Sequence, residues 1–194
     1  MKLQDIEGYT EITQDSINSV KCTRILSGEG SERYNKYIQS LAKRVLLTSL
    51  NRLDGHKHDE VGILARLDGR QCSQLIMGCW NEQLATSVIP TTTNISYNNI
   101  LDENMYTQTL VFVHNHPNNS GVSISDLSSL INNPEIRAII AVGNNGHTKY
   151  AIKLRDDIEI YNSISNSIRK SKDSTKILYD IINNPSKYYI EFGG

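Results

Sequence analysis

The spacing of apolar positions along the chain predicts helices that alternate with strands. Between residues 32 and 50 the apolar residues recur at helical intervals, which is typical of an amphipathic helix. The positions that carry this spacing are Tyr34, Ile38, Leu41, Val45 and Leu46. Residues 1–30 give no clear pattern. Further helices are predicted at 96–105, 124–132, 156–170 and 174–183.

Apolar runs of strand length separate these helices. Strands are predicted at 60–67, 71–78, 109–114, 137–142 and 148–154, with a weaker candidate at 83–89. Asp68-Gly69 between the first two runs predicts a hairpin turn, and Asn144-Asn145-Gly146 predicts a turn between the last two. Strands interleaved with helices predict an α/β fold with a single mixed β-sheet flanked by helices and with C-terminal helices.

Composition adds limits on the class of protein. The chain has 194 residues, with 20 basic and 21 acidic residues and a formal net charge of −1, so we expect neither a nucleic-acid partner nor an acidic-membrane surface. It contains no apolar run long enough for a membrane span and no signal-peptide core. The three cysteines form no Cys-x-x-Cys pair, which predicts reduced thiols and a cytoplasmic protein. The oligomeric state stays open.

The strongest chemical signal follows the apolar run at residues 110–113. His114 and His116 alternate on a strand, so their side chains share one face, and Pro117 ends the strand just beyond them. Asp126 on the first turn of the next helix can return to the same place as a third ligand. Two imidazoles and one carboxylate leave one position of a tetrahedral zinc open, which is the pattern of a catalytic site.

Each half of this pattern also has an ordinary structural explanation. Ser123 is a good N-cap and Asp126 suits a first helical turn, while two histidines can be buried or exposed without any metal. The occurrence of both halves with a strand before and a helix after favours the metal site. The second His-x-His, His56-Lys57-His58, has no carboxylate at ligand spacing and is a weaker candidate, and His147 at a turn is expected to be exposed.

These residues resemble the zinc motif of the JAMM/MPN+ (JAB domain) metalloprotease family, which is a distant glutamate, then His-x-His-Pro, then Ser-x-x-Asp. The resemblance covers roughly residues 59–152, and the His-Asn-His-Pro form is closest to bacterial and phage-type members. It implies that His114, His116 and Asp126 hold one Zn²⁺ and that Ser123 helps to stabilise the tetrahedral intermediate. The loop before Ser123 is one residue shorter than in many members, a change that a loop can absorb.

The glutamate of the motif is assigned by its context. Glu60 opens the first predicted strand and precedes His114 by 54 residues. Members of the family place their glutamate on such a strand about fifty residues before the histidines, so Glu60 is the predicted general base. Asp59 would point to the opposite face, and Glu82 and Glu103 lie in polar connecting segments. The alternative is that Glu60 is a solvated residue at a strand end.

The resemblance also implies a fold and an activity. It implies an MPN/JAB-like, cytidine-deaminase-like three-layer domain at residues 31–155, with the helices and tail of 156–194 packed on it and residues 1–30 unassigned. It implies a zinc-dependent hydrolase that cleaves a peptide or isopeptide bond in a protein or peptide substrate, a ubiquitin-like tail being one candidate. Two alternatives stay open: a non-catalytic MPN-type scaffold, and a DNA-repair-associated bacterial JAB-domain protein without protease activity. The absence of Pro-Cys-x-x-Cys disfavours a zinc nucleobase deaminase.

The C-terminal run at 189–194 ends in Gly193-Gly194 and has the form of a ubiquitin-like tail. One hypothesis is that this tail occupies an active site, its own or a neighbour's, and inhibits it. The favoured alternative is a frayed terminus or a cloning remnant.

Overall fold

Helices and strands alternate along the chain in the computed structural model, which describes residues 9–22, 25–27, 31–52, 59–78, 95–105 and 107–194. The helices are α1 (Gln14–Ser19), α2 (Ser31–Leu50), α3 (Ile95–Glu103), α4 (Ile124–Asn132), α5 (Ile158–Lys170) and α6 (Ser174–Asn183). The strands are β1 (Val61–Arg66), β2 (Ile76–Met77), β3 (Leu110–His116), β4 (Ile136–Gly143), β5 (Thr148–Lys153) and β6 (Ile190–Gly193). A short 3-10 helix, Pro185–Tyr188, precedes β6.

The strands form one mixed sheet of six strands in the order β2-β1-β3-β4-β5-β6. Strands β3 and β4 are parallel, and helix α4 makes the crossover between them, while the other neighbouring pairs are antiparallel. The prediction of an α/β fold with a single mixed sheet is therefore confirmed. Strand β3 lies inside the sheet with every residue buried.

Two hydrophobic cores cover the two faces of this sheet. Val111 and Val113 of β3 pack with residues of α1 and α2 on one face. Leu110 and Phe112 pack with residues of α3, α4, α5 and α6 on the other. Because side chains alternate along a strand, the histidines that continue the even-numbered series face the α4 side.

The second strand of the predicted hairpin is much shorter than expected. Asp68-Gly69 does form the turn, with Gly69 at φ +77°, but of the predicted 71–78 only Ile76–Met77 forms a strand. Before it, the hydroxyl of Ser73 accepts a hydrogen bond from the Leu64 N–H (3.0 Å). The Ser73 side chain thus occupies a backbone N–H group of β1, and the regular ladder of backbone hydrogen bonds is interrupted there.

The two ends of the described chain hold structure that the apolar pattern does not reveal. Helix α1 begins at a Thr13 capping box, and Ile17 packs against α2. At the other end the expectation of a frayed terminus is wrong, since β6 pairs with β5 and Ile190 is buried. A tail that is paired in the sheet is not free to enter its own site, so this fold gives no support to self-inhibition.

Some predictions concern residues outside those described, namely the candidate strand at 83–89, the His56-Lys57-His58 pair and Glu82. Cys22 and Cys72, which are described, are free thiols. Among the described residues, no helix has the length and apolar character needed to cross a membrane.

Candidate metal centre

The two histidines stand side by side at the end of β3. His114 and His116 are only 1% and 4% exposed, and their Nε2 atoms lie 2.8 Å apart. The His114 ring stacks on Phe112 (centroids 5.2 Å apart), which fixes it against the core of the α4 face. The strand ends at His116, immediately before Pro117, so both histidines lie at the carboxyl end of β3.

Asp126 reaches the same point from the first turn of α4. One of its carboxylate oxygens lies 3.1 Å from Nε2 of His114, and the other lies 3.5 Å from Nε2 of His116. The ligand atoms of these three residues all fall within 4.8 Å of one another, so the group could hold a metal ion. The shorter loop between His116 and α4 therefore does not prevent the predicted ligands from meeting.

The orientation of the His116 ring suits a ligand of a metal such as zinc. The Nδ1 atom of His116 lies 2.8 Å from the hydroxyl of Ser120 and 3.3 Å from its carbonyl oxygen, so Nδ1 can carry the proton while the lone pair of Nε2 points into the site. Tetrahedral zinc with normal Zn–N bonds requires the two Nε2 atoms to be about 3.3 Å apart. A separation of the imidazoles by about half an ångström beyond the observed 2.8 Å would meet this requirement.

Glu60 lies beside this group without belonging to it. It immediately precedes β1, and its Oε1 atom is 3.9 Å from Nε2 of His116, farther than either Asp126 contact. Asp59 takes the opposite direction, as predicted, and is fully buried next to Arg52 (3.7 Å). Glu103, another candidate from the sequence, lies on α3 and accepts a hydrogen bond from Gln71.

The three grouped residues shift one another's pKa values. Burial alone lowers the pKa of His114, but the neighbouring Asp126 carboxylate outweighs it, and the pKa is raised above its ordinary 6.5. Burial, followed by the charge of His114, lowers the pKa of His116 to about 4. Burial raises the pKa of Asp126, yet the histidines outweigh burial and hold this pKa below its usual range. At pH 6 the group therefore combines an ionised carboxylate with one protonated and one neutral imidazole.

Ser123 caps helix α4, which is the ordinary structural explanation of its place in the sequence, and it also contacts Asp126, one of the predicted ligands. It is the N-cap of α4, where its hydroxyl accepts a hydrogen bond from the Asp126 N–H (3.1 Å). The same hydroxyl donates to the Asp126 Oδ2 atom (2.7 Å). Its side chain is exposed, so a ligand at the site could approach it.

Two residues around the site escape the sequence pattern. Ser120 orients His116, but nothing in a polar loop marks which hydroxyl will face a ring nitrogen. Asn115 is fully buried on the face opposite the histidines and hydrogen-bonds to β1 and to Asn144. A polar residue at an inward position of an apolar strand is the signal that could have identified it.

Compared with models of protein families, with curated proteins and with solved structures, the chain gave no match.

Proposed function

We propose that this protein is a zinc-dependent hydrolase of the JAMM/MPN+ type that cleaves a peptide or isopeptide bond. The observation that carries the proposal is the convergence of His114, His116 and Asp126 from two separate elements, with the Glu60 carboxylate 3.9 Å from one of them. The mixed sheet with the histidines on an inner strand and helices on both faces supports an MPN/JAB-like fold. The motif resemblance supplies the rest of the argument.

Each residue has a part that follows from its position. The two imidazoles and the Asp126 carboxylate hold the metal, with Ser120 keeping the Nε2 lone pair of His116 directed inward. A bound zinc supplies Lewis acidity, which makes water a nucleophile near neutral pH. Glu60 accepts the proton of the attacking water on its carboxylate and later transfers it to the leaving amine. Its greater distance from the ligand group suits a proton carrier better than a fourth ligand.

Ser123 is the proposed donor to the oxyanion. Its exposed hydroxyl points at Asp126, one residue of the metal group, so the oxygen of a bound carbonyl would come close to it. Donating to the oxyanion requires the hydroxyl to exchange its bond with Asp126 for a bond to the substrate. A donor of this kind acts mainly in the transition state, where negative charge develops.

Metal content is the first test of the proposal. Protein purified with zinc and then desalted should contain one zinc per chain by elemental analysis. The His114→Ala, His116→Ala double variant should lose it. His147→Ala is the matched control, because His147 is exposed and lies outside the group. Unchanged zinc in the double variant would refute the site.

Hydrolysis is the second test. The substrates are a panel of short peptides and ubiquitin-like proteins, each with a fluorogenic amide at its C-terminus. The zinc-loaded protein should cleave this amide in at least one member of the panel, and the Glu60→Gln variant should cleave none. Binding of zinc without cleavage of any member of the panel would favour the scaffold alternative or the DNA-repair-associated alternative over a protease.

A further inference from the structure

We propose that Asn115 is a positioning residue that sets the place of Glu60 relative to the metal group. This inference rests on the proposed function, since it concerns the same site. Asn115 stands between the two histidines but faces the other side of the sheet, so it touches neither the metal group nor a substrate. Its effect passes through the backbone of β1.

The ladder between β1 and β3 shows how this happens. Regular pairing runs from Arg66–Leu110 to Gly62–His114, and the same register would place Val61 opposite Asn115 and Glu60 opposite His116. The N–H of Val61 instead donates to the side-chain Oδ1 atom of Asn115 (2.7 Å). A side chain thus takes the place of a ladder bond, and the regular pairing of β1 with β3 ends at Gly62–His114.

The end of regular pairing matters because directly opposed residues in an antiparallel pair have Cβ atoms only about 5 Å apart. A glutamate held that close to His116 would lie against the imidazole itself. In the structure the Glu60 Oε1 atom stands 3.9 Å from the His116 Nε2 atom, beside the ligand group. The Asn115 side chain thus keeps the carboxylate within reach of the site without making it a ligand.

The amide of Asn115 is held in one orientation. Its Nδ2 atom donates to the Asn144 Oδ1 atom (3.0 Å) and approaches the Asp59 carbonyl oxygen (3.4 Å), which leaves the Oδ1 atom for Val61. Asn144 in turn donates from its side chain to the Thr10 carbonyl oxygen (2.8 Å). A buried amide with its bonds made in this way is rigid, because any rotation would leave a polar group without a partner.

Other bonds fasten the backbone on both sides of Glu60. The Ser49 hydroxyl donates to the Asp59 carbonyl oxygen (2.6 Å), and the Gly78 N–H donates to the Glu60 carbonyl oxygen (2.8 Å). A Cβ atom at residue 78 would stand 2.9 Å from that carbonyl oxygen, so the close approach requires glycine. Among these residues, Asn115 is the one that joins β1 to β3, the strand that carries the two histidines.

The test uses the full chain loaded with Co²⁺, whose visible spectrum and its pH midpoint report on the surroundings of the metal. Asn115→Leu removes the amide at similar volume, and Asn115→Ser is a milder change. Both should shift the pH midpoint in the same direction as Glu60→Gln. They should also lower kcat by about 10- to 100-fold at unchanged KM, as expected when a supporting residue is lost. In a Glu60→Gln background, where hydrolysis is abolished, they should not shift the pH midpoint further.

Asn35→Leu is the matched control. Asn35 is another buried asparagine, and its side chain bonds the N–H and the carbonyl oxygen of Leu26 (both 3.1 Å), away from the site. This variant should be destabilised but should keep the cobalt spectrum and kcat. If Asn115→Leu does not fold, Asn115→Ser and Asn144→Ala carry the test.

Two kinds of failure are distinguishable. A wild-type protein that binds no Co²⁺ would overturn the proposed function itself. Binding of Co²⁺ with an unchanged midpoint in the Asn115 variants, or with effects that add to those of Glu60→Gln, would overturn the positioning role alone. An equal shift of the midpoint in Asn35→Leu would also overturn it.

Discussion

Zinc binding at pH 6 should release one proton from this protein, and the pKa shifts of the two histidines assign that proton to His114. The Nε2 atoms of His114 and His116 are 2.8 Å apart, which is the distance of a hydrogen bond in which one nitrogen donates and the other accepts. Asp126 raises the pKa of His114 above 6.5, whereas burial lowers the pKa of His116 to about 4. At pH 6 the proton therefore belongs to His114, and Asp126 is already ionised.

The number of protons released on zinc binding separates this site from an ordinary pair of histidines. Zinc needs both imidazoles neutral, so binding displaces whatever protons they hold. Two independent histidines with a pKa of 6.5 would hold about 1.5 protons at pH 6. The paired arrangement holds about one, on His114. Its affinity for zinc should weaken about tenfold for each pH unit below the raised pKa of His114.

Calorimetric titration in buffers of different ionisation enthalpy measures the number of protons released. The measurement belongs at pH 6, because a water on zinc ionises with a pKa of about 7 and contributes little there. The exposed His147 should not matter, so His147→Ala should give the same number. Release close to 1.5 protons, or close to none, would refute the assignment of a single shared proton.

Three further predictions concern single residues. Glu60→Gln should abolish hydrolysis while zinc content stays at one per chain, and loss of zinc would instead make Glu60 a ligand. Ser123→Ala should lower kcat about a hundredfold, which is the loss typical of one oxyanion donor. It should also lower the free energy of unfolding by about 1 kcal/mol, because the N-cap of α4 is lost. An unaltered kcat would leave Ser123 with the N-cap role alone. Burial lowers the pKa of Lys153 to about 7. Between pH 7 and 10.5 the unfolded chain therefore binds more protons than the native one. The free energy of unfolding, measured with urea, should rise with pH in this range by up to about 1.4 kcal/mol per pH unit. Lys153→Met should lose this rise, and an identical pH dependence in both proteins would contradict it.

Local patterns in the sequence are enough to determine several parts of the site. Alternation along an apolar strand places His114 and His116 on one face, and Pro117 ends that strand. Ser123 and Asp126 have the spacing of a capping box, which begins α4 where the sequence predicts it. These features depend on neighbouring residues alone, so periodicity and residue type reveal them.

Only the tertiary structure decides which of these parts meet. Glu60 reaches His116 because β1 pairs with β3 in one register. Within that register, the bond from Val61 to the Asn115 side chain sets the distance between the Glu60 carboxylate and His116. The pairing of β6 with β5 is a similar case, since a short run near the end of the chain carries no mark of its partner. Periodicity shows which face of an element is apolar but not which other element covers it. That choice is made by the packing of the whole sheet and its helices, through contacts between residues far apart in the chain.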